Sequence, residues 1–208
     1  MFTHEVLDNL PIPRRVFRGN QGEELGSLEV GREVVKKKLK DLKPDKAPGV
    51  DNIYPVVLQQ LAGILCEPVS RLFRKSLDTK QVPEDWKNAN VTPLFKKGLR
   101  GKTENYRPVS LTCICSKILE SLIRDAIVDH LRTHKLIIDS QHGFLKGRSC
   151  LTNLLLFLEK VTGIIDEGYP VDIMYLDFSK AFDKVPHRRL LLKLEAHGIG
   201  MQITSLTG

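Results

Sequence analysis

Asp177 closes an apolar run, Val171-Asp172-Ile173-Met174-Tyr175-Leu176, and Phe178-Ser179-Lys180-Ala181-Phe182 follows it. A carboxylate delivered to the end of a strand holds a divalent cation without burying an unpaired charge. Phosphoryl transfer to a hydroxyl is mostly positioning plus charge neutralisation by two metal ions about 4 Å apart. Asp177 suits the first carboxylate for both ions, and the backbone carbonyl of Phe178 adds an oxygen ligand. Phe182 then stands where a nucleotide sugar can stack. Asp172 points to the opposite face of a regular strand. Asp183 lies beyond a turn and reads as a helix-entry or loop residue. A lone aspartate at a strand end is otherwise an ordinary cap or turn residue.

Two groups of cations accompany this carboxylate. Lys96, Lys97, Arg100, Lys102 and Arg107 are opposed locally only by Glu104. Long cations on a hairpin tip suit a triphosphate, with Lys as a mobile point charge and Arg as a planar fork. By charge alone such a run is also a solvated loop. Gln141-His142-Gly143-Phe144-Leu145-Lys146-Gly147-Arg148-Ser149-Cys150 forms the second group. Its glycines let a phosphodiester approach the backbone, and Ser149 or Cys150 opens a helix whose first amides favour phosphate. An ordinary helix-connecting loop is the competing reading.

The elements that must position these residues follow from periodicity and breakers. Residues 1–26, with two prolines and three glycines, read as an extended lead-in. Ser27 reads as an N-cap before a helix with Leu28, Val35, Leu39 and Leu42 on one stripe. Lys43 to Asp51 is a loop. Pro55 suits a first helical turn, Val56 to Cys66 carries an apolar face, and Pro68 restarts a helix reaching Leu77. Asn90–Phe95 and Tyr106–Leu111 predict a hairpin, with Pro93 at an edge or bulge. Helices are expected over Ser116–Leu131, over Leu151–Ile165 (buried, from its leucines) and from Pro186 to Ala196, with Gly198 at C′. Val171–Phe178 reads as a central strand.

Composition narrows the classes. The 208 residues carry a net charge of +7 and are 41% hydrophobic and 27% charged, which suits a folded domain with a polyanionic partner rather than a disordered tail. Four scattered cysteines do not make a disulfide framework, and Cys113-Ile114-Cys115 lacks a second zinc ligand pair. No signal peptide or membrane-spanning run is evident. An intracellular, reducing setting, nucleus or cytoplasm, is expected. His130 and His134 are spaced i, i+4, but Leu131 stands where a zinc protease needs Glu.

Four blocks together resemble one family. Lys46-Ala47-Pro48-Gly49-Val50-Asp51, Val91–Gly98 with Asn105–Leu111, Gln141–Ser149 and Tyr175–His187 are similar, in order, to blocks of the reverse transcriptases of non-LTR retrotransposons. The likeness is to LINE-like elements of the chicken-repeat and jockey style. It implies an α/β (α+β, helix-rich) fold: the fingers and first part of the palm of a right-hand polymerase, incomplete. It implies that Lys96, Lys97 and Arg107 touch an incoming dNTP, with Phe178 and Phe182 beside it and Phe182 as the steric gate. Gly147, Arg148 and Ser149 would lie on the template. Asp177 would be the catalytic carboxylate and, with the Phe178 carbonyl, would bind Mg²⁺. RNA template, DNA primer and dNTP would be the partners, and no membrane.

The family's F/Y-x-D-D pair and thumb are not found in these residues. Residues 27–199 are therefore read as a partial polymerase domain and 200–208 as a divergent tail, the whole as truncated. An active RNA-directed DNA polymerase domain, a non-catalytic nucleic-acid-binding remnant and an unstable product of a decayed element stay open. The second carboxylate pair separates the first two.

Overall fold

The computed structural model describes residues 13–178, 181–182, 184–200 and 203. Asp183, residues 1–12 and most of 200–208 lie outside the described residues, as do the expectations placed on them. The described order is α1 (Arg32–Lys40), α2 (Pro55–Gln60), α3 (Ala62–Thr79), β1 (Asn90–Phe95), β2 (Tyr106–Leu111), α4 (Ile114–Thr133), α5 (Cys150–Asp166) and α6 (His187–Ala196). It is a helix-rich chain with one small antiparallel sheet. No described helix is long and apolar enough to cross a membrane.

The core lies among α1, α3 and α4. Helical spacing puts Val35 and Leu39 on one face of α1, and Ala62, Cys66, Val69, Phe73 and Leu77 on one face of α3. Ile118, Leu119, Leu122 and Ile123 of α4 close the cluster. Ser70 is fully buried but satisfied, donating its hydroxyl to the Val30 carbonyl at 2.9 Å. Trp86 covers the far end, its ring edge-on to Phe73 at 5.9 Å.

Gly49 explains the Ala-Pro-Gly block physically. It is buried against the root of β2, and a Cβ there would lie 2.6 Å from the Thr112 carbonyl and from the Cys113 nitrogen. Only glycine lets the 43–51 loop close onto that backbone.

The hairpin forms as expected, with Pro93 directly opposite Pro108. The Lys96 amide donates to the Asn105 carbonyl at 2.8 Å, which sets the alternation of the ladder. Pro93 and Pro108 therefore fall at a non-hydrogen-bonded pair, where a missing N–H would face outward. Both outer edges of the hairpin thus lack a donor at mid-strand, which disfavours a third strand there.

Several expectations need correction. Gly31, not Ser27, is the N-cap of α1. The break in the second helical region is at Leu61, and Pro68 lies on the exposed side of a continuous α3 whose opposite face is packed in the core. Helix α5 has the expected bounds and is capped by Ser149, but none of its residues is buried. The central strand expected over Val171–Phe178 is absent: Ile173 to Phe178 run exposed, with Tyr175 at 82%. A strand exists only if its amides and carbonyls find a neighbour. Among the described residues the two strands pair with each other and carry proline at both edges, so this segment has none. Its contact with α5 is a ring pair, Phe157 and Tyr175, at 6.3 Å.

From residue 13 on, the lead-in is packed onto the rest of the chain. Phe17 is buried, the Val16 and Phe17 amides both donate to the Ala196 carbonyl, and Leu25 bridges Ile199 in parallel. Ile203 is fully buried in the same core, beyond residue 199.

Candidate nucleic-acid interface

Hairpin geometry divides the first cation group. Alternation puts Lys96 on the same face as Arg107, which is paired across from Leu94. Lys97 sits in the turn. Arg100 is spent on the hairpin itself, its guanidinium 5.3 Å from the Phe95 ring centroid. Lys102 is 3.8 Å from Glu104. Lys96, Lys97 and Arg107 are exposed, and among the described residues none is paired with a carboxylate. The tip is held by the Asn105 side chain donating to Leu99 O at 2.8 Å and the Tyr106 hydroxyl donating to Arg100 O at 2.9 Å. Gly98, at φ +90°, permits the turn.

The second group is ordered by a residue to which the sequence reading gave no role. His142 is buried, and its Nδ1 lies 3.0 Å from the Ser140 carbonyl. An Nδ1–H donated there leaves Nε2 as an acceptor for Arg148, 3.2 Å away. His142 thus aims the Arg148 guanidinium. The signal available in sequence was the spacing of His142 and Arg148 across a glycine turn. Gly147 adopts φ +83° with open space where a Cβ would be, so the turn, not crowding, demands glycine. The Ser149 hydroxyl accepts from the Thr152 amide at 3.1 Å, and Thr152 returns a bond to the Ser149 amide. Its first task is therefore capping α5.

Asp177 is exposed, and Phe178 and Phe182 are 81% and 76% exposed. The Phe182 ring stands edge-on to Phe144 at 5.9 Å. The fold thereby brings the Gly147-Arg148 loop beside the turn after Asp177. No hydrogen bond or ring contact joins the hairpin tip to either among the described residues. Nor, among the described residues, do three His, Cys, Asp or Glu side chains converge there to hold a metal. Asp177 and the Phe178 carbonyl supply oxygens of the right type for Mg²⁺, but one carboxylate does not make up a two-ion site. Burial pushes the Cys115 thiol up to about 11 and raises that of Cys113, so both stay protonated near neutrality and make poor metal ligands.

Comparison with known proteins bears on this arrangement. Residues 94–207 match the family model described as reverse transcriptase (RNA-dependent DNA polymerase). The match extends past residue 199 and includes Arg107, the Gly147-Arg148 loop and Asp177. The chain is 26% identical over 192 residues to the probable RNA-directed DNA polymerase from transposon BS of Drosophila melanogaster, covering 92% of this chain and 20% of that protein. It is 29% identical over 163 residues to the RNA-directed DNA polymerase from mobile element jockey of the same fly, covering 77% and 18%. The uncharacterized 149 kDa protein of transposon TX1 of Xenopus laevis is 27% identical over 158 residues, covering 76% and 12%. The chain spans about a fifth of the length of the first of these relatives. With more than half its residues inside the family model, the chain belongs to the reverse transcriptase family, in its branch related to non-LTR retrotransposons.

Proposed function

We propose that this chain supplies the fingers and the first palm residues of an RNA-directed DNA polymerase that adds dNTPs to a DNA 3′ end on an RNA template. The observation that carries this reading is the family match running across the hairpin cations, the Arg148 loop and Asp177 together. Lys96 and Arg107, on one face and without carboxylate partners among the described residues, bind the triphosphate. Lys97 adds charge from the turn. Gly147 and Arg148 take the template backbone, with Ser149 starting the helix behind them. Asp177 is the catalytic carboxylate and, with the Phe178 carbonyl, offers oxygens to Mg²⁺. Residues 27–199 form the polymerase part, with 1–26 as its lead-in and 200–208 as its tail. Four free cysteines suit a reducing, intracellular setting.

A nucleic-acid-binding module without catalysis is the second reading. It is favoured by Asp177 belonging to no group of three potential metal-ligating side chains among the described residues.

Binding is the direct test. The 208-residue chain should bind RNA and DNA without sequence preference, more weakly as salt rises. Joint Lys96→Ala, Arg107→Ala and Arg148→Ala should flatten the slope of log K against log salt by about 2, at about 0.7 per contact on a single strand. An unchanged slope would remove these three residues from the interface.

Phe182 carries a second expected result. Its exposed ring fits a gate beneath the sugar of an incoming nucleotide, where a 2′ hydroxyl finds neither room nor partner. Desolvating an unpaired hydroxyl costs about 1–3 kcal/mol. With residues 1–199 grafted onto a related palm and thumb, Phe182→Ala should relax the dNTP-to-rNTP ratio of kcat/KM by about tenfold or more. A ratio that does not move would reduce Phe182 to a packing partner of Phe144.

A further inference from the structure

A second cationic surface lies at the C-terminal end of α4, away from the hairpin. There the lead-in is pinned by Phe17, whose ring stands 5.2 Å from His130 and 4.9 Å from His134. Arg14 and Arg18 flank this anchor and are exposed, and among the described residues neither meets a carboxylate. Arg15, by contrast, is held 2.5 Å from Glu24. The lead-in and the helix end enclose a groove of about 700 Å³ that His134 and Lys135 also line.

A second groove, of about 910 Å³, carries Arg132, Lys146 and Arg148 on its walls. The two share Val16, Lys135 and Leu136, so they form one trough. The Arg132 guanidinium donates to the Lys146 carbonyl at 3.3 Å and ties the Arg148 loop to the helix end. Among the described residues, Asp139 is the one acid lining the second groove, and no acid lines the first. At the junction, Lys135, just past the C-cap of α4, stands at φ +53°, where glycine is the comfortable residue. Between the cations the floor is apolar, with Leu136, Ile137, Ile138 and Leu145.

We propose that this trough binds the sugar-phosphate backbone of a single-stranded nucleic acid, leading it from Arg148 to Arg14 and Arg18. Cationic walls meet phosphates, and the apolar floor, aliphatic where single-strand channels commonly present aromatic rings, covers the faces of unstacked bases. The portion at Arg148 rests on the template reading above, and the portion made by Arg14, Arg18 and Lys135 does not.

The test is fluorescence anisotropy of the 208-residue chain with labelled oligouridylate, oligothymidylate and a DNA duplex across a salt series. Joint Arg14→Ala, Arg18→Ala and Lys135→Gly should flatten the single-strand slope of log K against log salt by about 2, three contacts at about 0.7 each. The melting temperature should hold or rise, because glycine is at ease in the left-handed region. Arg18→Gln alone, on an exposed side chain, should flatten the slope by about 0.7, which keeps the test valid if the triple variant folds poorly. Equal losses on RNA and DNA support a phosphodiester reader, and a loss on RNA alone supports the same trough with a 2′-hydroxyl contact. A slope unchanged in both variants overturns the trough, even where Arg148→Ala flattens it and leaves the template loop standing. A loss confined to the duplex also overturns it. So does competition by polyglutamate as effective as by oligouridylate, which would mark a general polyanion surface.

Discussion

Asp177→Ala is expected to lower dNTP incorporation by at least about a thousandfold in a hybrid carrying residues 1–199 on the palm and thumb of a related complete enzyme. That is about 4 kcal/mol of transition-state stabilisation, the scale of losing one preorganised electrostatic group. The 208-residue chain by itself is expected to show no primer extension at all. In-line displacement needs both the attacking and the leaving oxygen clamped, and among the described residues no three His, Cys, Asp or Glu side chains converge to hold a metal. Asp177 is exposed, so its substitution should leave the fold intact, and an unchanged melt would confirm that the loss is chemical. Incorporation by the unaltered 208-residue chain that disappears in Asp177→Ala would sink this picture. It would mean that another carboxylate, Asp172 or Asp183, or a second subunit completes the site.

Phe73→Ala is expected to destabilise the chain by about 3–5 kcal/mol, the usual cost of emptying a buried phenylalanine site. Phe73 is fully buried on the stripe of α3 that faces α1, and Trp86 lies edge-on to it. Against a typical domain stability of about 5–15 kcal/mol this is a large share. Leu154→Ala, on exposed α5, should change stability by less than about 0.5 kcal/mol. Urea denaturation of both variants measures the contrast through the shift of midpoint at constant slope. Equal losses would show that α5 is packed in solution and that the core extends over it.

The parts of the fold legible in the sequence are those decided within a few residues. Leu119, Leu122 and Ile123 announce α4 because a helix repeats its inward face every three or four positions. The hairpin is legible because two strand-like runs flank Gly98 and Gly101. Burial is harder to read. Five leucines in α5 look like a core helix, but a stripe states only that a face is apolar, not that a partner meets it. The run Val171–Phe178 looks like a central strand for the same reason, and it lacks a described neighbour to pair with. Pro68 misled in the opposite direction, because packing along α3 outweighs a local breaker.

The sequence by itself determined the chemical types and their order: hairpin cations, glycine loop, then a carboxylate followed by aromatics, which is enough to place the chain in its family. Only the tertiary structure decided which of those residues meet. It set His142 behind Arg148, Phe144 against Phe182, and the lead-in against α6, with Leu25 bridging Ile199. All but the first of these contacts join positions far apart along the chain and obey no local period. They form because burying Phe17, Ile199 and Ile203 removes apolar surface from water, and that driving force depends on area and shape, which no single window of residues contains.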